Sequence, residues 1–484
     1  MARYFGKARL GIFTLAFSFL QLFSTIGCLG LAAGTTRNLA FYNGKKDNKL
    51  IPDIISSSIL IIIISSSIIA TILFIFSGYI SENIFHEPSF KTPLMIFAIA
   101  IPINNIVTIL ISIFTGFKNI KPTVYFQQIF QNIIFFLLLI LIIFANKSFI
   151  YVFYIYLFSL FLTFILLVIY TIKKMLNYNI FKNKKSKFSQ AKPLLLFSLP
   201  LLTVAIVNSS TNWINTTMIA GFKTAADLGL YKAALIITGF IVTPFAILLA
   251  LYTPVISDLY GSKKINEINR IYPLLTKWLC FFTFPIFLFI MLFSAQIINI
   301  MYGNEYIGAV NTLRILSIAT IISNISGPNG STLISIGKPK LILYSITAAT
   351  ITNIALNVVL IPQYGIEGAA IAITISFILF NIIKSSLLYF SIGTIPFNYN
   401  LIKPTILTIF IVSIIYIIIQ NLFVIMYFII PLFLVIFYLI YFASFVFTKS
   451  VENEDVEIIT IISKKLNLKI DFLTNFMSKY KNQE

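Results

Sequence analysis

Asn208, Asn212 and Asn215 stand at i, i+4 and i+7 inside an otherwise apolar stretch. That spacing puts three amides on one helix face. An amide offers donors and acceptors but no charge, so the chemistry on offer is hydrogen bonding to a polar ligand. Gln127/Gln131, Gln128/Asn132 and Asn353/Asn357 repeat the i, i+4 pattern, Asn104-Asn105 follows Pro102, and Asn324, Pro328, Asn329 and Gly330 interrupt another apolar run. Two readings stand: hydrogen bonds between helices, which need no cavity, or a wet cavity lined by several helices. Arg37, Lys232, Arg314 and Lys384 lie in or beside apolar runs. They could snorkel to an interface or face a cavity and hold an anion, for which arginine offers a forked set of donors. Asp227, five residues before Lys232, is a possible partner for it.

Other chemistry lacks its parts. The one histidine, His86, sits beside Glu87 with no second histidine at ligand spacing, so no metal site is expected. Cys28 and Cys280 lie within apolar runs and read as small buried hydrophobes. No phosphate-binding nucleotide loop occurs, and no cofactor is expected. All 15 acidic residues fall in loops, tails or the ends of apolar runs. Ion-coupled pumps commonly keep a carboxylate inside the bilayer, and none stands at mid-run here.

The elements that must position these residues follow from composition. Of 484 residues, 59% are apolar and 10% charged, too little polar surface to cover soluble cores. Apolar runs of membrane length, about 20 residues, cover 10–33, 54–79, 93–116, 122–145, 150–172, 194–220, 231–256, 275–298, 313–336, 341–361, 367–390, 401–420 and 422–447. Lipid forces the backbone to satisfy itself within helices, which predicts an all-α polytopic membrane protein with thirteen spans. Alternating from a cytoplasmic loop after the first run puts most of the 35 Lys and Arg residues inside, the side that basic loops favour. The net charge of +20 then records topology, and no nucleic-acid partner is needed to explain it. The C-terminus is expected in the cytoplasm. Ile458, Ile459, Ile462 and Leu466 fall at helical spacing there, as an amphipathic helix on the inner leaflet would have them. Tyr42–Asn48 and Tyr260–Asn266 share Tyr, Lys-Lys and Asn at the same offsets, each after a long apolar run. Such a repeat suggests a duplicated six-helix lobe.

The stretch ARYFGKARLGIFTLAFSFLQLFSTIGCLGLAAGTTRNLAFYNGKKDNKLI resembles the second membrane helix and following loop of Wzx-type polysaccharide-biosynthesis flippases, of the multidrug/oligosaccharidyl-lipid/polysaccharide exporter superfamily. KTAADLGLYKAALII (223–237), MYGNEYIGAVNTLRILSIA (301–319), GKPKL (337–341) and LIPQYGIEGAAIA (360–372) are similar to later family segments, in order. The resemblance implies fourteen helices: two six-helix lobes plus two more. The lobes would fall at 1–192, with five spans present, and 193–390. The extra spans would lie at 391–447, and a cytoplasmic tail at 448–484. It implies alternating access that turns over polyprenyl-diphosphate-linked glycans in the cell membrane, with membrane lipid and other glycan-assembly membrane proteins as partners. Arg37, Asn208, Asn212, Asn215, Lys232, Arg314, Asn324 and Lys384 are then the candidate cavity residues. The family's first helix should precede Ala2, so a truncated N-terminus is expected. Arg3, Lys7 and Arg9 would belong to a short external hairpin.

Two other readings differ in sequence signature. A drug or metabolite exporter of the same superfamily would be expected to carry a cavity carboxylate and twelve spans. A membrane glycan polymerase would be expected to carry larger loops with acidic or histidine residues. The chain is expected to be a transporter, not an enzyme.

Overall fold

A computed structural model describes residues 1–45, 50–175, 190–396, 399–422, 430–452 and 455. Among the described residues there is no strand, and eleven helices are long and apolar enough to cross a membrane. The helices run α1 (Ala2–Phe5), α2 (Lys7–Gly27), α3 (Leu31–Gly44), α4 (Ile51–Tyr79), α5 (Lys91–Gly116), α6 (Gln131–Phe144), α7 (Ile150–Met175) and α8 (Ala191–Phe222). They continue as α9 (Ala225–Gly261), α10 (Ile265–Leu292), α11 (Ser294–Tyr302), α12 (Val310–Ile325), α13 (Asn329–Ser335), α14 (Pro339–Ile392), α15 (Tyr399–Leu422) and α16 (Ile430–Phe447). Helices fit here despite the many Ile residues, because hydrocarbon offers the backbone no other partner. The tail positions 458–466 and Lys46 and Lys49 of the first basic loop lie outside the described residues.

Two compact units divide the chain, Met1–Lys232 and Ala233–Glu484. In the first, α5 is central and packs against α2, α3, α4 and α7. The span containing it is 61% buried, whereas those containing α4 and α6 are each 17% buried and turn Ile and Phe outward, as lipid-facing helices do. In the second, α12 packs on α10 and α14, and α16 on α10 and α15.

The apolar run 10–33 is not one straight span. The helix breaks after Gly27, with Leu29 at φ 48° and Gly30 at φ 72°, and resumes as α3, which continues through Gly44. Arg37 therefore stands on a helix, where the sequence alone suggested a loop. The break frees the Gly27 carbonyl, and Ser65 of α4 donates to it at 2.6 Å, the kind of local repair a broken membrane helix requires. A Cβ on Gly30 would lie 2.2 Å from the Ser198 carbonyl oxygen, so α3 can seat against α8 only with glycine there. Near the other end of α2, a Cβ on Gly11 would lie 1.7 Å from the Ala225 carbonyl, and one on Gly229 1.9 Å from that of Lys7. Small residues let these two backbones meet.

The second unit repeats the device. Gly327, at φ 72°, separates α12 from α13, where Asn324 and Pro328 interrupt the run. Tyr272 donates to the Ser326 carbonyl at 2.9 Å. α14 is too long for one crossing: its 54 residues would extend about 80 Å at 1.5 Å per residue. Gly365, at φ 60° and ψ −135°, divides it. A Cβ on Gly368 would lie 2.1 Å from the Leu360 carbonyl, so the chain reverses there and α14 is a helical hairpin, as the runs 341–361 and 367–390 predict. The run 275–298 shifts more: α10 begins at Ile265 and ends at Leu292, and α11 follows after Phe293.

Lys277 is buried on α10. Its Nζ donates to Glu452 Oε2 at 3.0 Å and to Asp455 Oδ2, while Trp278 Nε1 donates to Asp455 Oδ1 at 3.0 Å. Asn400 of α15 donates to Glu452 Oε1 at 2.6 Å. Burial raises the Asp455 carboxyl above its ordinary range, and the Lys277 ammonium opposes that. The start of the acidic tail is thus docked into the second unit.

Candidate functional site

The eight candidate cavity residues are spread through the protein. Arg37 projects from α3 with its guanidinium 4.5 Å from the Phe197 ring centroid of α8, a cation–π contact. Asn215 is buried and partnered on α8, and the side chains of Asn208 and Asn212 lie outside those described. Lys232 is half-buried on α9 and does not pair with Asp227. Asp227 instead caps the helix start, accepting from the Thr224 hydroxyl at 2.7 Å and the Thr224 amide at 3.1 Å while its own amide donates to the hydroxyl at 3.2 Å. A reciprocal cap satisfies amides that the first turn would leave open, which is why the carboxylate points away from Lys232.

In the second unit, Arg314 Nε donates to Ser294 Oγ at 2.8 Å, and buried Asn324 donates to the Ile241 carbonyl at 3.4 Å. Lys384 is buried, with Nζ 3.8 Å from the Phe380 ring centroid and no carboxylate paired to it among the described residues. Arg314 lies level with the start of the second arm of α14, where Asn311 donates to Glu367. Lys384 lies further along, where Asn329 donates to Ser385. The two cations are therefore about 25 Å apart along the helix pair and do not share a site.

What the structure does gather is a polar cavity of about 320 Å³ within the first unit. Helix α2 contributes Gln21, Ser24 and Thr25, and α5 contributes Asn104, Asn105 and Thr108. Gln127 comes from a π-helical turn, Thr123–Phe130, ahead of α6, and such turns recur at functional sites. Tyr156 of α7 adds an aromatic wall; its ring is fixed by Phe97 at 5.2 Å and Phe17 at 5.7 Å. The broken joint of α2 and α3 brings Cys28, Gly30, Ala32 and Ala33 to the lining, and α8 brings Leu201 and Ala205. Asn104 donates to Ser24 at 3.2 Å across the α2–α5 contact. Asn105 is 1% exposed, and its Nδ2 has no acceptor. Among the described residues no charged side chain lines the cavity.

Among the described side chains none of the candidates lines it, but Arg37 is next to it. Arg37 stands four residues after Ala33, and Phe197 four residues before Leu201, so both lie one turn beyond the lining on its own two helices. The sequence marked Asn104, Asn105 and Gln127 only as mid-run amides; their convergence with Ser24 and Tyr156 required the fold.

A family model described as polysaccharide biosynthesis protein matches residues 1–260. The chain belongs to that family. A second family model, MatE, matches residues 200–359. The probable low-salt glycan biosynthesis flippase Agl15 of Haloferax volcanii is 25% identical over 217 residues, 45% of this chain and 46% of the relative. The probable flippase AglR of the same organism is 29% identical over 194 residues, 39% and 40% of the two chains. The chain thus spans under half the length of these curated relatives. Among solved structures, the lipid II flippase MurJ shares the fold with TM-score 0.71 at 18% identity, over 92% of this chain and 93% of that one. A multidrug resistance MATE family transporter shares it with TM-score 0.63 at 15% identity, over 81% and 94%. This polysaccharide biosynthesis family protein is therefore a polytopic, all-helical membrane protein.

Proposed function

We propose that this family member is a transporter that flips a polyprenyl-diphosphate-linked oligosaccharide across the cell membrane by alternating access. A sugar diphosphate cannot enter hydrocarbon without a large desolvation cost. The observation that carries the reading is a neutral polar cavity set among apolar membrane helices, with the cation Arg37 one turn beyond it. The family match over residues 1–260 and the glycan-flippase relatives support it. So does the placement of the described acidic residues, which stand at helix ends and in connections.

In this proposal Arg37 binds the diphosphate, and Lys232, Arg314 and Lys384 are further anion contacts. Asn208, Asn212, Asn215 and Asn324 hydrogen-bond the head. The lobes run over 1–192 and 193–390, followed by two helices and a cytoplasmic tail; membrane lipid and glycan-assembly membrane proteins are the partners. The MatE match over residues 200–359 favours a second reading, a multidrug or metabolite exporter. Reconstituted protein tested with a fluorescent polyprenyl-diphosphate glycan and with cationic drugs separates the two. Movement of the glycan lipid alone supports flipping. Movement of drugs alone contradicts it.

A further inference from the structure

The geometry points to the first-unit cavity as a binding site for one neutral, polyhydroxylated sugar ring, with the substrate's anionic group held outside it at Arg37. The flippase reading supplies the source of the sugar; the site itself rests on the lining. Among the described residues every polar side chain there is uncharged: amides, hydroxyls and the Cys28 thiol. A phosphate placed inside would lose its hydration without meeting a cation, at a high cost. Sugar hydroxyls need the opposite environment, with donors and acceptors mixed and neutral. Asn105 supplies the sharpest demand. Its Nδ2 is buried and lacks an acceptor, and a group in that condition gains most from a ligand oxygen. Gly27 keeps the space open, because a Cβ there would lie 3.0 Å from that nitrogen.

Shape agrees with charge. Tyr156 is held by packed rings on two sides, so it offers a fixed aromatic wall to the C–H face of a pyranose. The volume of about 320 Å³ lies at the small end of ligand pockets, about 300–1,000 Å³, which suits one ring and not an oligosaccharide. Arg37 and Phe197 sit one turn along the lining helices. A ring in the cavity would therefore carry its linked phosphate toward the guanidinium. The proximal sugar, the one joined to the diphosphate, is the ring that geometry selects.

Isothermal titration on the full chain in lipid nanodiscs tests this, with methyl glycosides of glucose, galactose, mannose and N-acetylglucosamine as probes, and pyrophosphate and sodium chloride as comparisons. At least one glycoside should bind. Asn105→Leu should weaken it about tenfold, Ala205→Trp should abolish it by filling the cavity, and Arg37→Ala should leave it within about twofold. Pyrophosphate binding should show the reverse dependence. If Asn105→Leu does not fold, Ala205→Trp decides alone. Binding by no glycoside, glycoside binding undiminished in Ala205→Trp, or an Asn105-dependent response to sodium only would each overturn the site. Transport by Ala205→Trp at the wild-type rate would overturn the site and leave the flippase reading standing. Glycoside binding without glycan-lipid transport would do the opposite.

Discussion

At the residue scale, uncharged side chains build the cavity and charged ones do separate jobs. Arg37 stacks on Phe197 and makes no ion pair among the described residues, which leaves its donors for an anion. Arg37→Ala should cut glycan-lipid transport about tenfold or more, and Arg37→Lys should recover only part, since lysine lacks the planar fork. Initial rates in proteoliposomes measure this. Lys277 does a structural job. Asp455→Asn leaves a buried ammonium half-compensated and should cost about 3–5 kcal/mol, read as a fall in thermal unfolding temperature in detergent. Replacing both partners, Lys277→Met with Asp455→Leu, should cost much less. The sequence made the amides and cations visible one at a time but not their distances. Asn105 and Ser24 are 81 positions apart along the chain, and no helical spacing relates α2 to α5. Lys277 stood near the start of the run 275–298, and nothing in that run pointed to the acidic tail, some 175 positions on, as its partner.

At the element scale, glycine positions the helices. Gly30 makes the break that brings Ala32 and Ala33 to the cavity, and Gly365 turns α14 back on itself. Gly365→Ala should destabilise by about 1–3 kcal/mol, since that backbone region is close to glycine-only. Gly229→Leu should do more harm, because it separates α2 from the start of α9 where the two backbones touch. The check is its yield of folded, monodisperse protein against that of a surface change such as Lys263→Ala. Run length alone predicted the α14 hairpin correctly, since two membrane-length runs flanked a Pro-and-Gly turn. It failed at 10–33, where the run is apolar on both sides of the break and only the left-handed backbone at Leu29 and Gly30 ends the helix. Hydropathy measures where a chain prefers lipid; it does not register a kink inside lipid.

At the scale of the whole molecule, eleven described helices of membrane length surround few charges, and the described lining of the first unit's cavity is uncharged. The described residues include no mid-membrane carboxylate to carry a proton. The polytopic, all-helical class and the family were legible from composition and from motifs such as KTAADLGLYKAALII. The cavity was not, because it exists only where α2, α5, α7 and α8 meet. The most direct measurement follows a fluorescent polyprenyl-diphosphate glycan in proteoliposomes, with outer-leaflet label destroyed by a membrane-impermeant quencher. Flipping predicts that the quenchable fraction rises with time in vesicles carrying the protein and rises about tenfold more slowly with Arg37→Ala. An unchanged quenchable fraction in protein-bearing and empty vesicles would contradict it.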